Sequence, residues 1–151
     1  MTRFKFRLQP LLMVRESTRD RMRVELAQAH EALRTVEQKQ AELQQEQTEM
    51  RNALQNALRP GALPVDRILS LQRYQASLQI QQHGLEHQRK QVEQEMELRR
   101  QRLTEADREV RVLEKLREKQ QLRHAEEESR QEAQEMNEVA LQRHHRAEVS
   151  P

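Results

Sequence analysis

The side chains best able to do chemistry are histidines. His83 and His87 stand four apart with Glu86 between them, which on a helix sets both imidazoles on one face at the spacing of a metal chelate. The glutamate is not where the zinc-protease pattern H-E-x-x-H places it, and no third ligand accompanies the pair. It reads as solvated surface histidine, and no metal is expected. His144 and His145 are adjacent and point about 100° apart on a helix, while His30 and His124 are isolated. The two glycines, Gly61 and Gly84, stand alone, so no glycine-rich phosphate loop exists. With no cysteine and few serines, a nucleophile and base held in a cavity are not expected, and the many glutamates read as helix-surface charge. The expectation is a protein that is not an enzyme and carries no cofactor. The absence of cysteine also fits a reducing compartment.

Arginine clusters at Arg15, Arg19, Arg21 and Arg23, and at Arg99, Arg100 and Arg102, carry enough charge to touch phosphates. Glutamates interleave them and no aromatic platform accompanies them, so they read as solvated or partner-facing faces. The formal charge of +2 is the difference between 27 basic and 25 acidic residues, and no nucleic acid is implied. Tyr74 is different: it is the sole tyrosine and one of three aromatics, which makes it the first residue to test as an interaction anchor.

These residues must sit on helices. A chain of 151 residues that is 34% apolar, 34% charged and 2% aromatic is too poor in large apolar groups for a sizeable globular core. It is rich in helix formers, with few β-branched residues, as in coiled coils. Arg59-Pro60-Gly61-Ala62-Leu63-Pro64-Val65-Asp66 holds two of the four prolines and one of the glycines, and is expected to close one helix and open the next. Nothing approaches the roughly 20 apolar residues of a membrane span, and Leu11 to Val14 is too short for a signal-peptide core.

Residues Met1 to Pro10 form an N-terminal cap in which Phe4, Phe6 and Leu8 alternate with basic or polar neighbours. Beyond Pro10 a spacing of three then four runs from Leu8 through Leu12, Arg15, Arg19, Met22, Leu26, Ala29, Leu33, Val36, Gln40, Leu43, Gln47, Met50 and Leu54 to Ala57. The same ruler resumes at Ile68, Leu71, Gln75, Leu78, Gln82, Leu85, Arg89, Val92, Met96, Arg99, Leu103, Ala106, Val110 and Leu113, and its apolar seam runs out near Leu116. The fold class is therefore all-α: two long helices in an antiparallel coiled-coil hairpin with an overhanging C-terminal helix. We expect one domain over 1–151, with helix one at about 11–58 (roughly 70 Å), a turn at 59–66, helix two at about 66–146, and an unpaired tail from about 117 of roughly 30 residues.

Folding about Ala62-Leu63 sets Leu54 near Leu71, Leu33 near Val92, Met22 near Leu103 and Leu12 near Leu113. Between Val36 and Met50 each layer then joins one apolar residue to one polar: Leu43 to Gln82, Gln47 to Leu78, Met50 to Gln75. Gly84, at this level, costs about 1 kcal/mol relative to alanine. One reading is that two-stranded seams tolerate such amides. The other is that Leu43, Met50, Tyr74 and Leu78 turn partly outward to meet another protein.

Three stretches resemble a known family. Phe4-Lys5-Phe6-Arg7-Leu8-Gln9-Pro10-Leu11-Leu12-Met13-Val14-Arg15-Glu16 is similar to the N-terminal signature of the FliJ family of flagellar export proteins: aromatic-x-aromatic-basic-Leu-Gln, then a leucine pair and an arginine. Leu113-Glu114-Lys115-Leu116-Arg117-Glu118-Lys119 resembles the family's segment late in the second helix. Asn137-Glu138-Val139-Ala140 resembles its acidic-acidic-aliphatic-Ala end, with Asn137 replacing the first acid.

The resemblance implies a cytoplasmic antiparallel coiled coil like the central stalk of rotary ATP synthases. It would lie at the flagellar base, peripheral to the inner face of the cell membrane. Its implied partners are the hexameric flagellar export ATPase, the cytoplasmic domain of the export gate, and export chaperones. Carried over by position, Leu43, Met50, Tyr74 and Leu78 fall on the gate-facing surface, and Phe4, Phe6, Leu8, Leu113 and Leu116 on the surface facing the ATPase ring. Met50 and Glu46 stand where the family can carry aromatics. The alternatives are the stalk of a virulence-type type III secretion system and a generic structural coiled coil.

Overall fold

The computed structural model describes residues 3–61 and 64–149, which form two α-helices, α1 (Gln9–Ala57) and α2 (Val65–Val149). No strand occurs among the described residues. α1 opens with Gln9 N–H donating to the Phe6 carbonyl at 3.2 Å and Leu12 N–H to the Leu8 carbonyl at 2.9 Å. Pro10 sits in this first turn, where a missing N–H leaves no bond unmade.

At its other end α1 tightens: Leu58 N–H donates to Leu54 at 3.1 Å and Arg59 N–H to Asn56 at 3.4 Å, a narrower turn. Pro60 follows, and its ring disfavours helical geometry at Arg59, so the helix stops. Gly61 has φ of 154°, positive but far from the left-handed helical value of a helix-closing glycine. Proline, rather than glycine, ends α1. The fold-back point expected at Ala62-Leu63 lies outside the described residues. Pro64 then presents its carbonyl to the N–H groups of Arg67 and Ile68, both at 3.1 Å, and Asp66 lies in the first turn of α2.

The chain divides into two compact units, one built from residues Asp20–Thr104, the other from residues up to Arg19 and from Glu105 onward. In the first, α1 and α2 run antiparallel. Glu25 pairs with Arg99, Glu37 with Arg89 and Glu46 with Tyr74, so advance along α1 matches retreat along α2. The register is the one expected from the sequence. Its narrow core contains Ala29, Val36, Leu43, Leu78 and Met96, all buried, and the other ruler positions between Met22 and Leu103 are half-buried except Arg89. Arg89 lies outside because its guanidinium reaches Glu37 at 3.5 Å on α1 and Glu93 at 2.9 Å on its own helix. Arg99, also at a ruler position, bonds Glu95 at 2.8 Å and donates to the Glu25 backbone carbonyl.

In the second unit the N-terminal segment adds a layer that no helix supplies. Phe4 and Phe6 turn inward while Arg3, Lys5 and Arg7 are exposed, the period of two read from the sequence. Phe6, Leu12 and Val110 form its core, with Phe4, Leu113 and Leu116 packed against them. Arg15 pairs with Glu109 at 2.8 Å and Arg19 reaches Asp107 at 4.0 Å.

Packing on α2 continues beyond the Arg117 boundary expected for an unpaired tail. The Phe4 ring meets His124 edge-on with centroids 5.6 Å apart, and the side chains of His124 and Glu128 are only 28% and 31% exposed. The heptad ruler counts helix against helix. An extended segment advances about 3.3 Å per residue against about 1.5 Å for a helix, so a few residues of it cover several turns of α2. From Ser129 to Glu148 every side chain is exposed.

Candidate interaction surfaces

One of the two readings of the layers near the hairpin tip turned Leu43, Met50, Tyr74 and Leu78 partly outward, and the structure separates the four. Leu78 is fully buried and Leu43 is 6% exposed, so both belong to the helix–helix seam and neither turns outward. The reason lies in their polar layer-mates. Gln47 Nε2 donates to Gln82 Oε1 across the pair at 2.8 Å and Gln82 Nε2 to Glu86 at 3.3 Å, so the glutamines are bonded without expelling the leucines. Among the described residues no buried side-chain nitrogen or oxygen is left without a partner. Met50 is half-buried.

Tyr74 remains the surface residue, 46% exposed. Its hydroxyl donates to Glu46 Oε2 at 3.2 Å, a bond from α2 to α1. The negative charge of Glu46, and then the hydrogen bond itself, hold the phenol above its ordinary pKa. The sign follows: the folded state keeps its proton where the unfolded chain loses it, so any stability from this contact is present below the ordinary tyrosine range and declines as pH rises through the folded value. As the chain has a single tyrosine, Glu46→Gln is expected to lower the midpoint of the phenolate absorbance titration towards the ordinary value. An unchanged midpoint would show that Glu46 does not set it.

The seam opens into a groove of about 360 Å³, where Leu43 and Leu85 lie among Lys39, Glu42, Gln81 and Glu46, the last of which accepts the Tyr74 hydroxyl. Gly84 also lines it, and a Cβ there would meet nothing within 4 Å. Close packing therefore does not require the glycine, which locally weakens α2.

The second set, Phe4, Phe6, Leu8, Leu113 and Leu116, is brought together except at Leu8. Four of the five belong to the core that fastens the N-terminal segment to α2, whereas Leu8 is 38% exposed. Around them Leu11, Met13, Val14 and Val112 are exposed apolar residues. Sequence reasoning took His124 as isolated. Its link to Phe4 was hidden because the ruler follows helices and not the segment before them.

The histidines do not converge. His83 Nδ1 lies 3.6 Å from Glu86 Oε2 and His87 Nε2 lies 3.1 Å from Gln91 Nε2, and no group of three or more His, Cys, Asp or Glu able to hold a metal occurs among the described residues. No helix of the described residues is long and apolar enough to cross a membrane.

Comparison with known proteins agrees with this architecture. The sequence matches the family of the flagellar FliJ protein over residues 4–148. No curated protein sequence matches it. Among solved structures, a YscO homologue from Chlamydia trachomatis superposes with a TM-score of 0.63 at 20% identity, covering 99% of this chain and 100% of that one. At that identity the likeness is one of fold.

Proposed function

Because this chain belongs to the FliJ family of flagellar proteins, we propose that it is a non-enzymatic stalk of the type III export apparatus, coupling the flagellar export ATPase ring to the export gate and meeting export chaperones. The observation that carries this reading is the match over residues 4–148, which spans the N-terminal segment, both helices and most of the tail. A helix pair with a narrow core and exposed charged faces suits a shaft that works by contact. It would act in the cytoplasm, peripheral to the inner face of the membrane.

Within this reading Tyr74 and the neighbouring half-buried Met50 face the gate, and Leu43 and Leu78 support that surface from within the seam. Leu8, presented by the Phe4, Phe6, Leu113 and Leu116 core, faces the ATPase ring. The test is a pull-down with the cognate ATPase and the gate's cytoplasmic domain. Wild type is expected to retain both, and Tyr74→Ala to lose the gate domain by about tenfold in affinity while keeping the ATPase. Retention of neither partner by the wild type would sink the export assignment. A gene neighbourhood of injectisome rather than flagellar genes would instead favour the virulence-type stalk.

A further inference from the structure

Within the unit Asp20–Thr104 the seam changes quality part-way along. On α1 the ruler positions from Met22 to Val36 are all apolar, and at this level Ala29, Val36 and, on α2, Met96 are buried. From Gln40 to Met50 the layers are mixed. Gln40, Gln47, Gln75 and Gln82 hold ruler positions there and are half-buried, so Leu43 and Leu78 are the only buried residues among those described between Gln40 and Leu85. A layer with one apolar member buries roughly half the apolar surface of a layer with two, and its hydrophobic stabilisation falls in proportion.

Three further features lie at the same level. The seam is not filled: besides the groove of about 360 Å³ that Leu43 and Leu85 line, a second space of about 180 Å³ touches Gln40, Leu43, Gln47 and Gln82. Gly84 weakens α2 here although no packing contact requires it, since a Cβ would meet nothing within 4 Å. The ties between the helices are polar, Gln47 to Gln82 at 2.8 Å and Tyr74 to Glu46 at 3.2 Å, and the second of them is exposed. Water competes for both once the helices part. Few buried apolar contacts, open space in the seam and a helix-weakening residue together mark a segment that opens short of global unfolding.

We propose that the tip half of the hairpin, α1 from Gln40 to Ala57 with α2 from Val65 to Leu85, opens as one unit while the pair from Met22 to Val36 stays closed, and that opening uncovers Leu43 and Leu78. The two helices are coupled because neither segment has much to hold it alone: helical stability in water comes largely from tertiary packing, and each segment's packing is the other. The glutamines lower the barrier to this step. When the Gln47 to Gln82 bond breaks, water takes its place on both amides at little net cost, whereas a layer of two leucines would lose its whole burial. Closed, the leucines are out of reach; open, they are the apolar surface a partner can take. On the export reading the gate would select the open form, but the opening belongs to the free chain and its test needs no partner.

The experiment is native-state hydrogen exchange of the full chain, read along both helices. Amides of α1 around Leu43 and Gln47 and of α2 around Leu78 and Gln82 are expected to share one protection factor, about tenfold or more below that around Ala29 and Met96. Gly84→Ala is expected to slow exchange in the tip half by about fivefold, on α1 as well as on α2. Its effect on α1 is diagnostic, because fraying of the end of α1 alone would not respond to residue 84 of the other helix. Gln47→Leu/Gln82→Leu, which makes the layer apolar, is expected to slow both by about tenfold or more. Since the chain has no cysteine, Leu43→Cys supplies a single thiol whose labelling reports access to that position, and adding Gly84→Ala should slow the labelling by the same factor as the exchange. Equal protection throughout the unit overturns the proposal. So does a Gly84→Ala that slows α2 alone, or a thiol whose labelling ignores it.

Discussion

Leu78→Ala is expected to lower the unfolding free energy by about 3 kcal/mol and to leave a cavity in the thinnest part of the seam. Leu78 is fully buried, and with Leu43 it supplies the large apolar groups of layers whose other members are glutamines. The collapse open to its neighbours is limited. Gln47 and Gln82 are held to each other at 2.8 Å, and moving either into the void would leave an amide without its partner. Urea unfolding followed by circular dichroism measures the loss directly. The same substitution distinguishes two roles for the residue. A seam leucine changes stability first, whereas a surface leucine would change partner affinity at unaltered stability. Tyr74→Ala is the counterpart, expected to leave the urea midpoint nearly unchanged, because an exposed ring with one hydrogen bond to an exposed carboxylate holds little of the fold. If the two variants exchanged these effects, the assignment of inside and outside at this end would be wrong.

Leu12→Ala is expected to be as severe, about 3 kcal/mol, and to release the N-terminal segment as well. Leu12 is fully buried and shares a cluster with Phe6 and Val110, which in turn supports Phe4, Leu113 and Leu116. With so small a cluster, one truncation removes a large share of the apolar contact. The ion pair of Arg15 and Glu109 nearby, with both side chains over 40% exposed, is worth too little to compensate. Hydrogen exchange should therefore show protection lost in α2 around Val110 and Leu116 and in the first turns of α1, while the amides of α1 around Val36 keep theirs. Full protection near Leu116 in Leu12→Ala would mean that the helices there hold without the segment. Phe6→Leu, which keeps an apolar side chain of somewhat smaller volume, is expected to retain more of the protection than Leu12→Ala.

The helices were legible because helix propensity and heptad spacing are local. A ruler laid through Leu12, Ala29, Val36 and Leu43 picks out buried residues without knowledge of what covers them. The antiparallel course was legible for a related reason, since prolines at 60 and 64 bracket one break between the two helices, whereas spacing alone left the register open by a heptad. Where local signals competed, the reading slipped. The octet from Arg59 to Asp66 was expected to close α1 through its prolines and glycine together, and it is Pro60 that acts, since Gly61 does not take the left-handed helical conformation.

The candidate surfaces were less legible, since side-chain direction in a mixed layer depends on both of its members. The mixed layers left two readings open, amides tolerated within the seam or Leu43 and Leu78 turned partly outward to a partner, and spacing alone does not choose between them. The glutamines paired with each other, and the leucines stayed buried. Tyr74 kept its surface position, with its hydroxyl bonded to Glu46 on α1.

By itself, then, the sequence determined two antiparallel helices and the faces they share, because spacing along one chain is enough to define a seam. Only the tertiary structure decided that Phe4 and Phe6 hold α2 as far as His124 and that two expected surface leucines lie inside. Both depend on groups far apart in sequence finding each other, the ring of Phe4 with His124 and the amide of Gln47 with Gln82, which no periodicity records.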